Sequence, residues 1–148
     1  MNSHPYLRAY LCGAFVPTLV LPLILLGFIL LRLVLGAPFP IERFIVFPMA
    51  VVPALFGLWN MLWLVSHRRT RLPIGLHGAI LPFLGAPMGA TVAHFLGILQ
   101  IGSQHITWFQ AIQIPYALIA LVFLAAVIVY YLVWKYLIGF TNRTLGIA

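Results

Sequence analysis

The chain has 148 residues, of which 64% are hydrophobic and 6% charged, and its mean hydropathy is +1.14. That composition supplies too little polar surface for a water-soluble globule and makes a bilayer the expected solvent. Eight basic residues against one acid give a net charge of +7. The cations cluster at the ends of apolar stretches and do not alternate with aromatics on a polar face, which argues against a nucleic-acid partner.

A helix of about 20 residues crosses the hydrocarbon core, and four stretches reach that length. They run over about 10–35, 44–66, 74–99 and 111–138. In lipid each must be helical, because every backbone N–H and C=O needs an internal partner. The expectation is an all-α integral membrane protein. It is a single transmembrane domain, 1–148, with four helices in a compact bundle.

The first stretch is longer than a signal-peptide core, and Val34-Leu35-Gly36-Ala37 is a poor cleavage site, so it reads as a retained helix. It holds the lone cysteine, Cys12, which has no second thiol to pair with and reads as a small packing residue. Gly36-Ala37-Pro38-Phe39-Pro40 then breaks the chain. Pro40 and Glu42 suit the first turn of the second helix, Glu42 by its charge at the positive end of the helix dipole. Glu42 is the only acid, and its expected partners are Arg43 or Arg32.

The second helix carries Ala50, Pro53, Ala54 and Gly57 on one face and Asn60 on its flank. The turn Ser66-His67-Arg68-Arg69-Thr70-Arg71 follows, and Arg68, Arg69 and Arg71 should attract anionic lipid headgroups. In the third helix Gly85, Gly89, Ala93 and Gly97 recur every four residues. Such a face lets another backbone approach closely, so helices two and three are expected to pack through it against Ala54 and Gly57, and Gly89→Leu should disrupt the fold. Asn60 and His77 should reach the same depth and share an interhelical hydrogen bond.

The segment from Gln100 to Gln110 mixes apolar and uncharged polar residues and reads as an interfacial stretch lying flat at the outer surface. The fourth helix is an unbroken apolar run before Lys135, expected to face lipid or a partner protein. Pro17/Pro22, Pro48/Pro53 and Pro82/Pro87 recur five residues apart in the first three spans, a partial internal repeat.

Four spans put Arg8, the Arg68–Arg71 turn, Lys135 and Arg143 on one side, and by the positive-inside rule both termini are cytoplasmic. Trp59, Trp63 and Trp134 then fall near the inner boundary and Trp108 near the outer, as interfacial anchors. Compact helices without targeting signals point to a bacterial inner membrane.

The chemical inventory is thin. There is no Asp to orient a histidine, no carboxylate pair and no phosphate-binding glycine loop. The histidines inside the third helix, His77 and His94, lie about 25 Å apart at helical rise and cannot grip one haem. No cofactor is expected, with a haem or metal the minor alternative. His94, with Glu42 or Arg43 as partner, is the foremost candidate for proton handling or headgroup binding, followed by Asn60 and His77.

Three functions are compatible with this inventory. The first is a non-catalytic subunit or scaffold of a larger membrane assembly. The second is a small oligomeric transporter or channel with a midplane site near the paired prolines and His94. The third is a membrane enzyme or redox protein using His94, Glu42 and Arg43. The expected partners are the bilayer together with other membrane subunits or further copies of the chain.

Overall fold

The computed structural model describes residues 4–36, 41–108 and 112–147, with the backbone alone for 35, 41–47 and 68. Among the described residues, four helical segments are long and apolar enough to cross a membrane: Pro5–Val34, Pro48–His67, Ile74–Phe95 and Tyr116–Thr144. The chain divides into two compact units, Met1–Leu72 with Leu137–Ala148, and Pro73–Tyr136.

The first unit is built on helices α1 (Pro5–Leu35) and α2 (Ile41–Thr70). They run antiparallel: Asn60 meets Ala9, Gly57 meets Tyr10 and Phe56 meets Gly13. Gly36 ends α1 in the left-handed conformation that glycine adopts without strain, and its N–H closes on the Arg32 carbonyl. The C-terminal helix of the chain, Gly139–Thr144, belongs to this unit and stops at Gly146 by the same device. The buried core is Ala9, Cys12, Phe56, Asn60, Trp63, Ile138 and Asn142. Where the two helices cross, a Cβ on Gly13 would overlap the Phe56 carbonyl and lie 2.9 Å from Asn60 Cβ, so only glycine fits. Gly57 is filled by the Tyr10 ring of α1.

In the second unit the third span is broken in two, α3 (Ile74–Ala79) and α4 (Leu81–Phe95). Pro82 causes the break, since it brings no N–H for the Gly78 carbonyl one turn back. Phe83 instead donates to Ile80, tightening the turn. α4 ends earlier than the expected 99: Gly97 is left-handed, its N–H reaches the His94 carbonyl, and Ile98 N–H reaches Ala93.

The chain then forms a three-stranded antiparallel meander in the segment that the sequence marked only as an interfacial stretch. Its strands are β1 (Leu99–Ile101), β2 (His105–Trp108) and β3 (Ile112–Pro115), in the order β1-β2-β3. Ile101 faces Ile106, which faces Ile114. Alternating apolar and polar residues, with β-branched Ile and Thr, favour this pleated pairing. Tyr116 Oη donates to the Gly102 carbonyl at 2.6 Å, tying the first turn to the start of the next helix.

Helix α5 (Tyr116–Leu132) follows, and a π-helical turn over Val133–Ile138 carries it towards α6 (Gly139–Thr144). The extra residue per turn lets Trp134 turn fully inward. It covers Gly78, where a Cβ would fall inside its ring, and Tyr131 and Lys135 cover Gly75 in the same way. The intimate backbone approach in this unit is therefore made at α3. Gly85, Gly89 and Gly97, expected to be buried under a neighbouring helix, are exposed, and a Cβ on any of them meets nothing within 4 Å. Trp63 and Trp134, expected as interfacial anchors, are instead packed inside their units at 4% and 0% exposure.

Candidate functional site

The most constrained polar arrangement is a buried amide clasp in the first unit. Asn60 of α2 and Asn142 of α6 are both fully buried. Asn60 Nδ2 donates to Asn142 Oδ1 at 2.8 Å, and Asn142 Nδ2 donates back to Asn60 Oδ1 at 3.0 Å. The second Asn60 proton goes to the Ala9 carbonyl of α1 at 2.8 Å. A carbonyl only accepts, so Ala9 fixes which way the Asn60 amide points, and Asn60 in turn fixes Asn142. Three helices are thereby joined in one closed network whose buried polar atoms satisfy one another. Cys12 is buried beside it, with Thr141 in hydrogen-bond contact. Both Asn60 amide protons are thus used within the first unit, whereas His77, its expected partner, belongs to the second unit. Asn142 lies four residues past the expected end of the fourth span at 138, outside the apolar run that the sequence marks as membrane-spanning. The four-residue spacing of Trp134, Ile138 and Asn142, all fully buried, was the available signal.

Farther along the same helix pair, an open groove of about 350 Å³ lies between α1 and α2 near their middles. Pro17 and Pro22 line one wall and Pro53 the other, so the first proline pair meets one member of the second. Thr18, Met49, Ala50 and Ala54 complete most of its surface, with Tyr10 at one end. The Thr18 hydroxyl donates to the Ala14 carbonyl at 2.7 Å, which commits its only proton.

In the second unit, His77 is 5% exposed with its ring 6.2 Å from that of Trp134. His94 is exposed, and its Nδ1 lies 3.0 Å from the Leu99 carbonyl. Because that carbonyl can only accept, Nδ1 carries the proton and Nε2 is left as an acceptor or second donor. The ring ties the end of α4 to the first strand of the meander, a structural task. The side chains of Glu42 and Arg43, its expected partners, lie outside the described residues.

The basic end of the first unit holds Arg69 and Arg71, both exposed; the Arg68 side chain lies outside the described residues. Trp63 stacks on His67 with ring centroids 4.8 Å apart, and its buried indole N–H has no acceptor among the described residues. Lys135 lies over the rings of Tyr131 and Tyr136, at 5.5 and 5.2 Å from their centroids. Among the described residues no group of three or more His, Cys, Asp or Glu is placed to hold a metal ion. No family model matches the chain, and no curated protein or solved structure is significantly similar to it.

Proposed function

We propose that this chain is a non-catalytic subunit or scaffold of a larger membrane assembly, in the bacterial inner membrane, with both termini cytoplasmic. One observation carries the reading: apolar surface is left over in a form that only lipid or other membrane helices would cover. In the first and last spans just 6% of the most apolar window is buried. Every residue from Leu26 to Val34 is exposed on all sides of α1, and α5 has no buried residue. Meanwhile the best-buried polar groups, Asn60 and Asn142, are consumed in holding helices together. Small-residue faces such as that of α4 suit helix–helix association in lipid, where dispersion and close approach drive packing.

Native mass spectrometry of the protein taken from its own membrane in mild detergent tests this. Other polypeptides in fixed stoichiometry support the assembly. The chain alone, as monomer or homo-oligomer, overturns it and brings the transporter reading forward. Cysteine labelling of residues introduced at 2 and 146 from the periplasmic side tests the orientation, and modification of either refutes it.

A further inference from the structure

Lys135 is the only lysine in the sequence, and between 73 and 136 there is no Arg, Asp or Glu. With histidines neutral it is therefore the single charge of the second unit, and its side chain is exposed. A lone exposed cation with no carboxylate in its own unit draws its counter-anion from outside that unit. The whole sequence offers one acid, Glu42, against eight cations, so it does not neutralise them by itself.

The surroundings of Lys135 say what kind of anion suits it. Residues five apart on a regular α-helix point about 140° away from each other. Tyr131 and Tyr136 are five apart, but the π-helical turn Val133–Ile138, closed by bonds between residues five apart, swings them towards one face. The Lys135 ammonium consequently lies 5.5 and 5.2 Å from the two ring centroids and interacts with both phenol groups. An ammonium only donates, so a phenol oxygen that meets it accepts and keeps its own proton for another acceptor. Helix α3 steadies the cluster from one side: a Cβ on Gly75 would come within 2.8 Å of Tyr131 Cε2 and 3.1 Å of Lys135 Cβ. Depth completes the case. From Tyr116 to Lys135 the helix climbs about 28 Å, close to the thickness of the hydrocarbon core. Tyr116 is tied to the meander at one end, so in a bilayer Lys135 reaches the phosphate level at the other. The helix leading to it has no buried residue, which leaves that face open to lipid.

We propose that Tyr131, Lys135 and Tyr136 clamp the phosphate of an anionic phospholipid, the ammonium supplying charge and the two phenols supplying O–H donors to the phosphate oxygens. This site lies wholly within the second unit and does not depend on the chain being a subunit.

A single lysine makes the test site-resolved. Lysine enriched in the NMR-active nitrogen isotope gives one Nζ signal, and its dipolar dephasing by phosphorus under magic-angle spinning reads their proximity. The full chain is placed in vesicles of digalactosyl diacylglycerol, which hold no phosphorus, and in equimolar mixtures of that lipid with phosphatidylglycerol or phosphatidylcholine. Clear dephasing is expected with phosphatidylglycerol, and about half as much or less with phosphatidylcholine, which brings its own cation. Millimolar inorganic phosphate added to the phosphorus-free vesicles is expected to give none. Tyr131→Phe with Tyr136→Phe keeps the rings and the charge but removes both O–H donors, and should cut the phosphatidylglycerol effect to about half or less. No dephasing with phosphatidylglycerol, equal dephasing with phosphatidylcholine, or dephasing by inorganic phosphate alone overturns the proposal on the wild-type chain. An undiminished effect in the double variant overturns the clamp and leaves a bare ammonium on an anionic surface.

Discussion

Removing one half of the amide clasp is the sharpest test of how the first unit is held. In Asn142→Ala, Asn60 keeps its bond to Ala9 but loses both a donor to its Oδ1 and an acceptor for its second proton. Both atoms belong to a side chain with no exposure, so neither is rescued by solvent. An unsatisfied buried polar group costs about 1–3 kcal/mol. Interhelical hydrogen bonds in membrane proteins average nearer 0.6 kcal/mol, with about 1.7 at the upper end. A loss of about 2 kcal/mol follows for Asn142→Ala, and a similar loss for Asn60→Ala. The two substitutions share one cause, so the double variant should lose about 1 kcal/mol less than the sum. Replacing both residues by leucine, similar in volume, should return stability to within about 1 kcal/mol of wild type, because no orphaned polar atom remains. Reversible unfolding by SDS in mixed micelles, followed by far-UV circular dichroism, gives the four free energies. Strict additivity of the single losses, within about 0.3 kcal/mol, would refute the clasp as a coupled unit.

Three other expectations follow from the packing. Gly13→Ala should destabilise the chain by about 1–3 kcal/mol, since the Phe56 backbone it strikes cannot rotate away, whereas Gly89→Leu should leave the midpoint of the isolated chain unchanged; the reverse order in the same unfolding assay would restore the small face of α4 as the packing seam. Arg71 sits at φ 51 just past α2, a left-handed position that costs a non-glycine residue about 1–2 kcal/mol against a dipole gain of about 0.3–1. Arg71→Gly should therefore raise thermal stability slightly while weakening flotation with anionic vesicles, and a fall in stability would contradict it. His94→Ala should free the end of α4 from Leu99 and speed amide exchange over 96–101, with little change in the exchange of α1 and α2; unaltered exchange there would show the contact to be idle.

The four spans were legible because hydropathy is a sum over many residues and tolerates local error. Their ends were less so. α4 stops at Phe95, four residues short of the expected boundary at 99, and Thr144 extends the last span beyond it, because capping and tertiary burial override mean hydropathy at helix termini. Glycine was read as a smooth stripe, on the logic of two helices sliding close along a ridge. The glycines that matter are single notches, each opposite one bulky or rigid group: Gly13 under the Phe56 carbonyl, Gly57 under Tyr10, Gly75 under Tyr131, Gly78 under Trp134. Such one-to-one pairing leaves no periodic trace in a single sequence. Asn60 stands out in the sequence as a polar residue in an apolar helix, but its partner does not, since Asn142 sits 82 positions away beyond the last apolar span. The proline pairs are visible as a spacing; that Pro17, Pro22 and Pro53 share one groove depends on the antiparallel register, which the sequence does not encode locally.

The meander between α4 and α5 has two open edges, and the outward amides of β1 and β3 find no ladder partner in their own sheet. Set in a bilayer, those edges are intolerable in hydrocarbon and content among headgroups and water. The meander therefore acts as a float. It resists being drawn inward, and it holds the last turn of α4 and the first turn of α5 at one waterline. A change in bilayer thickness then has to be absorbed elsewhere in that unit, and the interruption at Pro82 between α3 and α4 is its weakest joint.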